Sequence, residues 1–196
     1  MKKAIFITLI ALLPFAGVNA QKYTFLNYTV GVPAQDLKSF IHEVSFRGID
    51  LGYMAFVDSN VSVGFSAGWN VFYERRANDS FVYNNTTVTS NQYRYTNSVP
   101  LFIYGNYHFN VGKIASYYAG LGVGTVYSDR TVDFGIFRYS VDTWAFALAP
   151  QIGMIYELND NTNFHIGARY NYSFDTSELD GQSFVGVNVG FAWRIW

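Results

Sequence analysis

The sequence predicts an all-β fold: eight antiparallel strands, joined up-and-down, closed into a transmembrane barrel. Three observations carry this. Eight segments alternate bulky apolar with small or polar residues at a period of two, the repeat of a strand. Their connections alternate between short and long. At the bulky-face positions named below for the third to eighth segments, no Asp, Glu, Lys or Arg occurs.

Taken in order, residues 1–20 are expected to be a signal peptide rather than part of the fold. Lys2 and Lys3 precede an apolar run over 4–15, too short to span a bilayer as a helix, and Val18-Asn19-Ala20 offers a cleavage site before Gln21. Residues 21–196 are expected to form one domain, the barrel. Its first segment, 24–33, puts Leu26, Tyr28, Val30 and Val32 on one face. The second, 44–57, puts Ile49, Leu51 and Tyr53 there, together with Arg47. A cation at that parity predicts a bulge, or a place above the membrane. The third, 61–74, carries Val61, Val63, Phe65, Trp69, Val71 and Tyr73 against Ser62, Gly64, Ser66, Gly68 and Asn70.

The fourth segment, 93–109, carries Val99, Leu101, Ile103, Tyr107 and Phe109. The fifth, 114–128, carries Tyr117, Leu121, Val123 and Tyr127 against glycines and serine. The sixth, 142–157, carries Trp144, Phe146, Leu148, Ile152, Met154 and Tyr156 against alanines, Gln151, Gly153 and Glu157. The seventh, 163–175, carries Phe164, Ile166, Tyr170, Tyr172 and Phe174. The eighth, 183–196, carries Val185, Val187, Val189, Phe191, Trp193 and Ile195 against Gly186, Asn188, Gly190, Ala192 and Arg194. Pro100 and Pro150 lie inside segments and predict local bulges, since proline gives no ladder donor. The short connections are 58–60, 110–113 and 158–162; the long ones are 34–43, 75–92, 129–141 and 176–182. Short turns belong on the periplasmic side, with both termini, and long loops outside.

The charge distribution decides which face is inside. A charged side chain facing lipid near mid-membrane costs about 2–4 kcal/mol. An eight-stranded barrel has a lumen only just wide enough for side chains, so the glycine, alanine and charged face belongs there. A soluble barrel would place its bulky residues inside and its charges outside. Trp69, Tyr73, Tyr127, Trp144 and Tyr156, near segment ends, are the expected interfacial girdle. No later run is long and apolar enough for a transmembrane helix, so a membrane location requires a closed barrel. A formal charge of −1 does not suit nucleic-acid binding. With no cysteine there is no disulfide, Cys-based zinc site or thiol nucleophile.

On these residues the chain resembles the small eight-stranded outer-membrane β-barrel family of the OmpA-barrel and OmpX type, over 21–196. The resemblance implies an outer-membrane location and a terminal aromatic strand read by the barrel-assembly machinery. Here Phe191, Trp193 and Trp196 are the corresponding positions, with Trp196 one residue out of phase with the apolar stripe. No second, peptidoglycan-binding domain is expected. The partners expected are outer-membrane lipid and the assembly machinery, with no nucleic acid, and the protein is expected to be a monomer. The inward face offers a polar network of Asp50, Glu157, Arg169, Arg194, His108 and His165. Buried charges need partners, and Arg194 with Glu157 is one expected pair. The expected role is structural or surface-interacting, with a plugged lumen and outward loops free to bind; a small or gated channel is the alternative. Some small barrels modify lipid A through a Ser–His pair, but the surroundings of His42, His108 and His165 do not match theirs. No enzyme activity, cofactor or metal site is expected.

Overall fold

A computed structural model describes residues 21–83, 86–135 and 137–195, and the side chains of 78–90 are not described. The expected signal peptide and Trp196 lie outside these residues. The chain forms β1 (Lys22–Pro33), α1 (Gln35–Phe40), β2 (Ser45–Phe56), β3 (Val61–Tyr83), β4 (Thr86–Phe109), β5 (Ala115–Phe134), β6 (Phe137–Glu157), β7 (Thr162–Ser173) and β8 (Phe184–Ile195). All neighbours pair antiparallel, and β1 against β8 closes the barrel from Lys22↔Ile195 to Pro33↔Phe184. The predicted fold class therefore holds, strand for strand.

The turns at the end shared by both termini are short because the local chemistry closes them. Val57 and Asp58 N–H both donate to the Val61 carbonyl. Asn159 Oδ1 accepts from the N–H groups of Asn161 and Thr162, an Asx turn. Asn110 and Gly112 take positive φ in the third.

The outer ends differ from the sequence reading. Residues 75–92 and 129–141, expected as loops, are mostly strand. β3 and β4 pair out to Tyr83↔Thr86, and β5 and β6 to Phe134↔Phe137. Beyond the lipid-facing wall the outer face no longer has to be apolar, so no strict alternation marks the strand. The ladder itself and cross-strand pairs sustain it: Tyr73 with Tyr95 at 5.0 Å, Arg75 over Tyr93, and Arg138 donating to both Asp133 oxygens. Residues 34–43, expected as a loop, contain the short helix α1.

Arg47 sits at a bulge. Thr29 pairs with Gly48 and Gly31 with Ser45, so Phe46 and Arg47 together oppose Val30. The prolines behave otherwise than predicted, because neither forms a bulge. The β3–β4 ladder steps from Ala67↔Leu101 to Asn70↔Ser98, and the β6–β7 ladder from Leu148↔Tyr172 to Gln151↔Arg169, both in register with pairs missing at the proline. Backbone direction explains this. His108 N–H donates toward β3 and the Phe146 carbonyl accepts from β7, so even-numbered residues of β4 and β6 face those neighbours. Each proline thus lacks its donor on the interrupted side only. A recess of about 390 Å³ lies on the β6–β7 seam, lined by Pro150, Ile152, Ala168, Tyr170 and Val185 among others.

The bulky residues named for the outer face are outward and either exposed or half-buried along the wall, Ile103 at 63 % and Ile152 at 62 % exposed. Apolar exposure on this scale is a lipid-facing surface. Asn27, Asp50, Asn106, Gln151 and Arg169 are buried in the lumen.

Candidate functional site

The lumen is filled in layers. At mid-height Arg169 ties four strands together. Its Nη1 donates to Asp50 Oδ2 on β2 and Ser66 Oγ on β3, both at 3.0 Å, and its Nε donates to Gln151 Oε1 on β6 at 2.9 Å. Gln151 passes the chain on to Asn106 Oδ1 at 2.7 Å. Toward the periplasmic end, His165 lies 2.7 Å from Asn27 Oδ1 and 2.8 Å from the Tyr118 hydroxyl. Around these an apolar group, Tyr23, Phe25, Met54, Tyr104, Tyr118 and Ile155, fills the remaining width. Arg194 Nη2 lies 3.3 Å from both Glu157 Oε1 and the Tyr23 hydroxyl, beside a recess of about 120 Å³ at the periplasmic mouth. The enclosed space at mid-lumen is about 20 Å³, one water's worth.

His108 is fully buried, and its Nε2 lies 2.8 Å from Ser62 Oγ. This is a Ser–His contact that the local sequence did not reveal, since the two are on different strands. Its geometry suits packing rather than nucleophilic chemistry. His108 Nδ1 has no hydrogen-bond partner to orient it, and Ser62 has no exposure to a substrate. Among the described residues no group of His, Cys, Asp and Glu could hold a metal.

The sequence residues Asp50, Arg169 and Gln151 come together at one height, and Glu157 meets Arg194 at the periplasmic rim. Arg94, inward by parity, lies at the outer mouth, where it donates to the Phe40 carbonyl at 3.0 Å and to Gln92 Oε1. Sequence reasoning missed Asn27, Ser66, Asn106 and Tyr118 as network members, although all share the inward parity. It also missed the inward apolar residues Phe25, Met54, Phe72 and Phe102. Of the expected girdle, Tyr127 and Trp144 face each other at 5.1 Å and Tyr73 packs on Tyr95, while Trp69 and Tyr156 are exposed singly on the outer wall. Phe191 packs between Phe164 and Trp193 on the outer face.

The outer mouth is closed by α1 and the residue that follows it. Leu37, Phe40 and Ile41 pack against Phe72 of β3, Phe184 of β8 and Val132 of β5. The Arg130 guanidinium stacks on the Phe40 ring, 3.6 Å from its centroid. Beyond α1, the His42 N–H donates to Glu74, which also accepts from Arg76 Nε at 2.7 Å. Burial tends to raise the Glu74 carboxyl, but the His42 N–H and Arg76 outweigh it and hold it below the usual carboxylate range. A lowered folded-state value means that the contribution is present above the unfolded value and is lost as pH falls through the folded one. Amide exchange of residues 41–44 is therefore expected to be slow at neutral pH and to speed up, relative to the barrel strands, at pH below the ordinary carboxylate range. Glu74→Gln should remove that acid dependence.

The site and fold together define a membrane-spanning β-barrel whose wall is apolar outside and whose polar side chains gather inside. A family model of the outer membrane protein beta-barrel domain matches residues 8–194, and the chain belongs to that family. It is an outer-membrane protein. No curated protein matches the chain. Among solved structures it is similar to Ail, the attachment invasion locus protein of Yersinia pestis, at 15 % identity and a TM-score of 0.58, over 91 % of this chain and 100 % of that one. It is similar to OprG from Pseudomonas aeruginosa at 14 % identity and a TM-score of 0.54, over 90 % and 96 %. Neisserial surface protein A matches at 12 % identity and a TM-score of 0.50, over 91 % and 97 %. At these identities the likeness is one of fold.

Proposed function

We propose that the protein is a non-enzymatic surface-interaction barrel, with the protruding part of β3–β6 as its contact element. The observation that carries this is where the ladders stop. β6 pairs with β7 only from Ala147↔Ser173 inward, and β3 with β2 only from Gly48↔Asn70 inward. Past these points β3 to β6 continue as a four-stranded sheet whose two edges carry no further ladder pairs among the described residues, the Val71 carbonyl on β3 accepting from Ser45 Oγ. By the backbone direction set at Phe146, Arg138, Ser140, Asp142 and Trp144 turn their N–H and C=O groups to the open side. An edge of this kind accepts an added strand. Exposed Phe137, Tyr139 and Trp144 flank it with apolar surface.

Ser140→Pro tests the reading because it removes a donor on the open side and leaves the β5–β6 ladder its own. Cells displaying the wild-type barrel are expected to adhere to immobilised matrix protein, and those displaying the proline variant to lose adhesion at equal surface level. Equal adhesion by both, or by neither, counts against the edge.

The packed lumen supports a barrel without a through path. In planar bilayers the purified protein is expected to give no discrete conductance steps; regular openings that change in Gln151→Ala would favour the channel reading.

A further inference from the structure

Helix α1 is held by its surroundings rather than by its own sequence. It has six residues, its N-cap Ala34 makes no side-chain cap bond, and Gln35 takes φ of 46°. A helix this short does not persist alone in water. What fixes it is the mouth beneath. Leu37, Phe40 and Ile41 rest on an apolar floor of Phe72, Phe184 and Val132. Two cations hold Phe40 itself. Arg130 lies over its ring at 3.6 Å, and Arg94 lies 5.1 Å from the ring centroid while donating to its carbonyl.

Phe40 thus gives the mouth an apolar body and one acceptor oxygen, met by an aromatic floor and a rim of two guanidiniums. We propose that the outer mouth is an acceptor site for a free amphipathic carboxylate, a single apolar tail with an acid head, and that α1 is its displaceable resident. The tail takes the places of Leu37 and Phe40 on Phe72 and Phe184. The head takes the Arg94 donor now on the Phe40 carbonyl and adds Arg130. At Arg94 a carboxylate accepts from guanidinium more strongly than the neutral Phe40 carbonyl does, while at Arg130 it takes over from Asp36, which leaves with α1. Arg94 and Arg130 lie outward of the Tyr127–Trp144 pair along β4 and β5, so supply is from the aqueous side. The site is distinct from the sheet edge on β6, since neither α1 nor Arg94 touches Ser140, although Ser140→Pro removes Oγ contacts to Asp129 and Thr131 on either side of Arg130.

The test uses the full barrel in lipid nanodiscs and a photoreactive hexadecanoic acid added to the buffer, with adducts mapped by mass spectrometry. Adducts are expected in 37–41, 130–132 or 184, reduced about tenfold in Arg94→Gln/Arg130→Gln, the loss of one strong charge-assisted contact. The corresponding photoreactive alcohol should label no better than the double variant. Phe40→Gly, which loosens α1, should raise labelling by the acid. If the double variant does not give a folded band, Arg130→Gln alone is scored in its place. Equal labelling by acid and alcohol, adducts confined to wall residues such as Ile103 and Ile152, or labelling only when the acid is premixed with the lipid would each overturn the proposal.

Discussion

Replacing Arg169 by alanine is expected to destabilise the folded barrel by about 3–5 kcal/mol, the cost of leaving one member of a buried ion pair alone. Asp50 is 5 % exposed, and without the guanidinium it keeps only the Asn27 amide as a side-chain donor. Gln151 Oε1 and Ser66 Oγ lose their guanidinium donor at the same time. The loss should appear as a lowered urea midpoint for unfolding from phospholipid vesicles. Asp50→Asn/Arg169→Gln should recover part of it, since no lone charge remains. A change below about 1 kcal/mol in Arg169→Ala would mean that this layer is hydrated rather than packed.

Gly124→Val is expected to prevent assembly, whereas Gly105→Val is tolerated. Both glycines are in strands, and valine suits a strand. The difference lies in what a Cβ would meet. At Gly124, facing the lumen from β5, it would run into the Leu101 carbonyl and the Phe102 backbone, which no rotamer change relieves. At Gly105, facing out from β4, nothing lies within 4 Å. The measurement is the fraction of folded, heat-modifiable protein on a gel after refolding into vesicles. Folding of Gly124→Val at the wild-type yield would show that the β4–β5 spacing can widen.

The membrane-crossing parts of all eight strands were legible because lipid enforces the pattern: Phe65, Ile103, Phe146 and Ile152 have no alternative to the outer face. The outer halves of β3–β6 were not, because no lipid demands an apolar outer face there and the polar run through Asn78 and Thr87 carries no period. Helix α1 was hidden for a different reason. Leu37, Phe40 and Ile41 have helical spacing, but only the floor of Phe72 and Phe184 makes six residues hold. In the lumen, parity put Asp50, Arg169 and Gln151 inside, and the strand pairing brings them to one height. Parity alone could not pair Tyr118 with His165 or Ser62 with His108, since those contacts depend on the stagger between strands. The prolines were seen as irregularities, but their effect was misjudged. A missing donor does not shift the register when the opposite side of the strand remains fully bonded.

Pro100 and Pro150 also make the ring mechanically uneven. Of the eight seams, β1–β8 runs without a break from Lys22 to Pro33, although it joins the two ends of the chain. The β6–β7 seam has a gap at Pro150, a recess beside it, and above Ala147 only the bond from the Phe174 N–H to the Phe146 carbonyl among the described residues. A force that pulls the barrel open would therefore tear it between two strands adjacent in sequence and leave the closing joint whole. The opened sheet would keep β8 bound to β1, with β7 at one border and β6 at the other.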